Sequence, residues 1–141
     1  MSYSMLAFNS FEELLSYVDE EISKARKQIE SLSERYKELK VKAERLKRLD
    51  EVFSKIIGSK ATSIYEVDIA GLKVVIGARA IDELNVIEEV LRSLNDKINS
   101  LSKVRKIVEY LAKTTGDIEG FSLLVETCNG IPARILIKES I

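Results

Sequence analysis

Few side chains in this sequence could carry out covalent or proton-transfer chemistry. There is no histidine and only one cysteine, Cys128. That thiol follows Thr127 and precedes an Asn-Gly pair, with no flanking cation to lower its pKa, so it reads as a small, semi-buried hydrophobe rather than a nucleophile. The same composition excludes His-based acid-base catalysis, Cys/His zinc sites and an internal disulfide. Gly58-Ser59-Lys60-Ala61-Thr62-Ser63 has the residue types of a phosphate loop. It lacks the first glycine at Walker spacing and would lead from a helix into a strand, the reverse of the order that loop needs, so it reads as a turn. The pairs Glu12-Glu13 and Glu20-Glu21 could attract a cation, but a calcium site needs a loop converging five or more oxygens, and helix surface is their expected role. The sequence therefore predicts no enzyme, with no catalytic, cofactor-binding or metal-ligating residues. One charged constellation remains: Lys40, Lys42, Lys47 and Arg48, with Tyr36, could follow a single-stranded phosphate backbone in a sequence-independent, salt-sensitive way.

The elements that would position these residues follow from periodicity. The chain has 141 residues, is 45% hydrophobic, and carries 22 basic against 23 acidic side chains for a net charge of -1. That is enough apolar content for one folded domain, without an overall field to draw nucleic acid or an anionic membrane. No run of 18 apolar residues and no basic-then-apolar leader occurs, so the expectation is a cytoplasmic protein with no membrane partner. From Phe11 to Ile57 apolar residues recur in alternating steps of three and four: Phe11, Leu15, Val18, Ile22, Ala25, Ile29, Leu32, Tyr36, Leu39, Ala43, Leu46, then, past a charged Asp50, Phe53 and Ile57, so that thirteen of the fourteen positions are apolar. This heptad stripe predicts a helix of roughly 70 Å with a left-handed coiled-coil seam. Ser10 with Glu13 makes a capping box at its start, and Gly58 offers a left-handed stop.

After Gly58 the period falls to two. Tyr65, Val67 and Ile69 alternate on one face, Ala70-Gly71 follow, and Leu72, Val74 and Ile76 alternate again. The pattern predicts a β-hairpin over residues 61–78 that pairs Ile69 with Leu72, Val67 with Val74, Tyr65 with Ile76 and Asp68 with Lys73. A second helix over 80–114 carries Leu84, Ile87, Leu91, Leu94, Ile98 and Leu101, then slips by three to Val104, Val108 and Leu111. That stammer moves Arg105 off the seam. Gly116 and Gly120 close the helix. Cys128-Asn129-Gly130-Ile131 predicts a type I′ hairpin over 118–139, with Pro132 marking an edge strand. Its expected faces are Leu124, Ile131, Ile135 and Ile137 on one side, and Phe121, Leu123, Val125 and Leu136 on the other. Residues 1–10, with Tyr3, Met5, Leu6 and Phe8, form a leader able to add a strand or a plug.

The short connection between the helices implies antiparallel packing, with Ile57 near Ile81. Charge agrees, because residues 35–48 are rich in Lys and Arg while 82–96 carry Asp82, Glu83, Glu88, Glu89 and Asp96. In that arrangement Lys113 reaches about Ala25, and Glu12, Glu13, Asp19, Glu20 and Glu21 overhang. Two helices leave too much apolar surface for one chain to cover, so a homo-oligomer is expected, with Leu15, Val18, Ile22, Ile29, Leu32, Leu39, Leu46, Leu91, Leu94 and Ile98 as its interface or coiled-coil core. The fold class is α+β, a long antiparallel coiled-coil helical hairpin with two β-hairpins.

This order of elements resembles the prefoldin family, in which two long helices flank β-hairpins and pack back as a coiled coil. The carriers of the resemblance are the heptad stripe, Gly58, the strands Ile64–Ile69 and Leu72–Gly77, and the return helix from Ile81. It implies an oligomeric β-platform whose helix ends hold unfolded protein clients, a chaperone-like function. The C-terminal hairpin, the unequal helices and the leader depart from that pattern. The leading expectation is a non-enzymatic scaffold or client holder. The alternative is a single-stranded nucleic-acid module using residues 35–48 with Tyr65 or Phe121. The scarcity of Gln and His beside abundant Glu, Lys, Arg and Ile has a thermophile character.

Overall fold

A computed structural model describes residues 2–57, 65–76 and 80–139. Among these residues the architecture is α+β, with antiparallel sheets. In chain order the elements are β1 (Tyr3–Phe8), α1 (Phe11–Ile57), β2 (Tyr65–Ile69), β3 (Leu72–Ile76), α2 (Ala80–Thr115), β4 (Phe121–Cys128) and β5 (Ile131–Glu139). The leader is thus a strand.

The boundaries have local causes. The Ser10 hydroxyl accepts a hydrogen bond from the Glu13 amide at 3.2 Å, satisfying one of the free donors at the start of α1. The Glu13 carboxylate reaches past the expected cap residue to accept the Asn9 amide at 2.8 Å. Both hairpin turns adopt the left-handed backbone that type I′ geometry needs: φ is 51° and 87° at Ala70 and Gly71, and 53° and 81° at Asn129 and Gly130. The Asp68 carboxylate accepts the Gly71 amide at 3.0 Å, which stabilises the turn that places the non-glycine Ala70 at positive φ. The four β2–β3 pairings expected from alternation all occur. The proposed stop at Gly58 and the loop through Ser63 lie outside the described residues.

The chain divides into two compact units, Met1–Ile29 with Ser93–Ile141, and Glu30–Arg92. In the first, β4 is central in the order β1-β4-β5, which places Pro132 on an edge strand. Leu123, Val125 and Thr127 of β4 are buried. Leu123 and Val125 pack with Phe11, Leu14, Val18 and Ile22 of α1 and with Leu101, Val108 and Ala112 of α2. Each large apolar side chain here removes surface worth about 1.5–3 kcal/mol from water. Thr127 is tolerated because its hydroxyl lies 2.7 Å from that of Ser4 across the sheet.

Three expectations need correction in this unit. Leu14 is fully buried while the seam residue Leu15 is only half-buried. Here α1 meets a sheet as well as a helix, and that requires a wider apolar stripe than a coiled-coil seam. The β4–β5 register shifts between Glu126 and Thr127, so Ile135 and Ile137 pair with Val125 and Leu123 rather than sharing a face with Leu124. A bulge adds one residue to β5 and moves everything beyond it to the other face. Nor do the acidic first turns of α1 overhang. Asp19 binds Arg105 at 2.6 Å and Glu21 lies 3.7 Å from Lys97, which brings Lys113 level with the start of α1.

In the second unit, Arg35 binds Glu83 at 3.0 Å and the Tyr36 hydroxyl donates to Glu88 at 2.8 Å. These partners run antiparallel and bring Ala80 level with Leu39 to Ala43, so Ile81 does not lie beside Ile57. Leu39, Ala43 and Ile87 are the buried apolar residues described here.

Candidate functional site

Side chains able to do chemistry do not converge among the described residues. Among the described residues no group of three or more acidic or cysteine side chains could hold a metal ion. Cys128 is half-buried near the Asn129-Gly130 turn. A groove of about 270 Å³ lies between the start of α1 and the end of α2, bordered by Ser10, Glu12, Thr115 and Glu119. Its hydroxyls are already engaged, Ser10 as the helix cap and Thr115 in a 2.6 Å bond to the Leu111 carbonyl. A second groove, about 240 Å³, is apolar and runs between Val104, Ile107 and Val108 of α2 and Pro132 and Ile135 of β5.

The perturbed titrations belong to structural contacts. The Tyr17 hydroxyl donates to the Gly130 carbonyl at 2.8 Å, locking the C-terminal hairpin turn onto α1. Burial first, and then the Glu21 carboxylate, pushes its pKa up to about 12. A Cβ at Gly130 would come within 3.2 Å of the Lys97 ammonium and 3.4 Å of the Glu21 carboxylate, so a side chain there would push that ion pair aside by a few tenths of an ångström as well as strain a backbone at φ 81°. The Asp19 hydrogen bond, with its charge, raises the Arg105 pKa. Lys113 and then Arg105 lower that of Glu109.

Apolar side chains are left exposed in both units, among them Met5, Ile107 and Ile137 in the first, and in the second they fall into stripes along the helices. Beyond Ala43, where α2 no longer lies alongside, Leu46, Leu49 and Val52 are 39%, 52% and 53% exposed. On α2, Val86 and Val90 are 58% and 41% exposed. Val41, Arg45, Leu49 and Val52 recur at steps of four, four and three, forming one stripe along a helix. Lys42 and Arg48 border it. Asp82, Val86 and Val90 recur at steps of four on α2, with Glu83 and Glu89 bordering them. Compared with known proteins, the chain matches no family model, no curated protein and no solved structure.

The residues expected at an interface fall into three groups. Val18, Ile22 and Leu39 are buried; Leu15, Ile29, Leu32, Leu91, Leu94 and Ile98 are half-buried; Leu46 is exposed. Lys40, Lys42, Lys47 and Arg48 are all exposed, with no ion pair among the described side chains. Of the aromatics expected on strands, Phe121 packs against Phe11 with ring centroids 5.9 Å apart, and the Tyr65 side chain lies outside the described residues. Heptad reasoning passed over Val41, Leu49, Val52, Val86 and Val90 because they stand off the seam. Their own spacing, a second stripe beside the first, was the available signal.

Proposed function

We propose that the protein is a non-enzymatic interaction protein, a coiled-coil scaffold whose working surface is the second unit. One contrast carries this reading: both units leave large apolar side chains more than half exposed, Val41, Leu49, Val52, Ile69, Leu72 and Val86 in Glu30–Arg92 as Met5, Ile107 and Ile137 in the other, but only the unit containing the sheet buries an extended core beneath them. Apolar stripes held on helices are the usual means of docking a partner helix or an unfolded segment. The α+β order of elements supports, at the level of resemblance, a prefoldin-like holder of protein clients working as a homo-oligomer. The test is suppression of aggregation of a chemically denatured reporter enzyme, followed by light scattering. The wild type is expected to lower the scattering, and Leu49→Ser/Val52→Ser to lose that effect while keeping its helical circular dichroism. No suppression and no self-association by the wild type would sink the reading.

A second reading has one specific observation in its favour. The helix register leaves Lys47 and Arg48 past the acidic start of α2, with Lys40 and Lys42 level with it and exposed, so a phosphate backbone could reach them. The engagement of Phe121 within the first unit counts against it, because single-strand platforms stack bases on open aromatics.

A further inference from the structure

We infer that the basic apolar stripe at the end of α1 docks on the acidic apolar stripe at the start of α2 in a second copy of the chain, reciprocally about a two-fold axis. This rests on the interaction reading above and names its first partner. Within one unit the pairing of Arg35 with Glu83 and of Tyr36 with Glu88 fixes the helix register, and that register separates two halves that would otherwise complement each other. One half is Val41, Leu49 and Val52 bordered by Lys42, Arg45 and Arg48, all exposed. The other is Val86 and Val90 bordered by Asp82, Glu83 and Glu89, of which Asp82 is half-buried with an interaction of its own, Glu83 already serves Arg35, and Glu89 is exposed. Opposite charge and shared i, i+4 spacing let the apolar rows of one copy lie between those of the other.

Self-pairing of like stripes is disfavoured, since it would set Arg45 and Arg48 against themselves. A heterologous contact repeated without closure would give filaments, whereas the two-fold arrangement closes at two subunits and uses each stripe once per copy. It also doubles the buried area. A few helical turns fall short of the roughly 1,200 Å² that stable interfaces bury in total, and a reciprocal pair of such contacts approaches it.

The experiment is sedimentation equilibrium of the full chain, with charge reversals on each side. Wild type is expected near twice 15.9 kDa at tens of micromolar, with a dissociation constant rising about ten-fold or more between 0.05 and 0.5 M salt. Arg45→Glu/Arg48→Glu alone and Asp82→Lys/Glu89→Lys alone are each expected to be monomeric. Their equimolar mixture is expected to dimerise again, because in the mixed pair one contact has both signs reversed and the other is native. If a reversed chain lacks the wild-type circular dichroism, the milder Arg45→Ala/Arg48→Ala and Glu89→Ala replace it, with weakened dimerisation expected of each. A folded wild-type monomer, reversed chains that remain dimers, or a mixture of monomeric variants that stays monomeric would each overturn the pairing. A dimer indifferent to the reversals sinks this surface and leaves the scaffold reading standing. A monomer that also fails to suppress aggregation sinks both.

Discussion

Individual side chains divide here between those buried in the first unit and those left exposed on the helices. Leu14 belongs to the former, and Leu14→Ala is expected to lower stability by about 3 kcal/mol in urea unfolding, with Leu15→Ala costing clearly less. Equal losses would mean that α1 uses a simple coiled-coil seam at its start. Tyr17 provides a pH handle. Its pKa is raised in the folded chain to about 12 from the model-compound value of 10.0, so the native state holds the phenolic proton more tightly than the unfolded one. A raised pKa stabilises fully below the unfolded value and is lost as pH climbs through the folded one. Tyr17→Phe should therefore be less stable than wild type by about 1 kcal/mol near neutral pH, with the gap narrowing between pH 10 and 12. Parallel stability curves across that interval would show that Tyr17 is not the titrating lock on Gly130.

At the scale of elements, the last buried residue of α1 among those described is Ala43, level with the start of α2. Leu39→Asp places a carboxylate among buried groups and is expected to unfold the chain or lower its stability by several kcal/mol. Leu46→Asp, seven residues on in the same heptad phase, is expected to weaken association while moving the melting temperature of the dilute chain by only a few degrees. Matching losses would restore a continuous seam. These two residues also show how far sequence reached. Both satisfy the heptad rule, which identifies a helix face but says nothing of how long its partner is. The type I′ turns at Ala70-Gly71 and Asn129-Gly130 were legible because turn chemistry is local. The β4–β5 register was not, because the bulge beside Pro132 arises from pairing across the sheet. The off-seam stripes were visible as spacing, but their exposure depended on the offset between helices, which Arg35–Glu83 and Tyr36–Glu88 determine.

For the whole molecule, net charge close to zero hides a separation of basic from acidic stretches along the chain. Residues 82–96 are acidic and 35–48 basic, yet the register aligns them only in part, leaving Lys47 and Arg48 with no acid opposite among the described residues. If a second copy supplies those acids, the basic stretch and the carboxylates around Val86 lie about a helix diameter apart. That is close to the screening length of roughly 8 Å at 0.15 M salt, so little positive field survives outside the pair. Wild type should then bind a labelled single-stranded oligonucleotide weakly or not at all at 0.15 M salt in fluorescence anisotropy. Asp82→Lys/Glu89→Lys, which leaves the basic stretch uncovered, should bind more tightly, with affinity falling steeply as salt rises because each neutralised phosphate releases counterions. Submicromolar binding by wild type at 0.15 M salt, abolished when Lys40, Lys42, Lys47 and Arg48 are changed to Gln, would place a nucleic-acid strand on the helix end where a second copy is proposed. The two occupants compete for the same residues and respond differently to the acidic stripe: removing it breaks the dimer and strengthens phosphate binding, so a single reversed variant tells them apart.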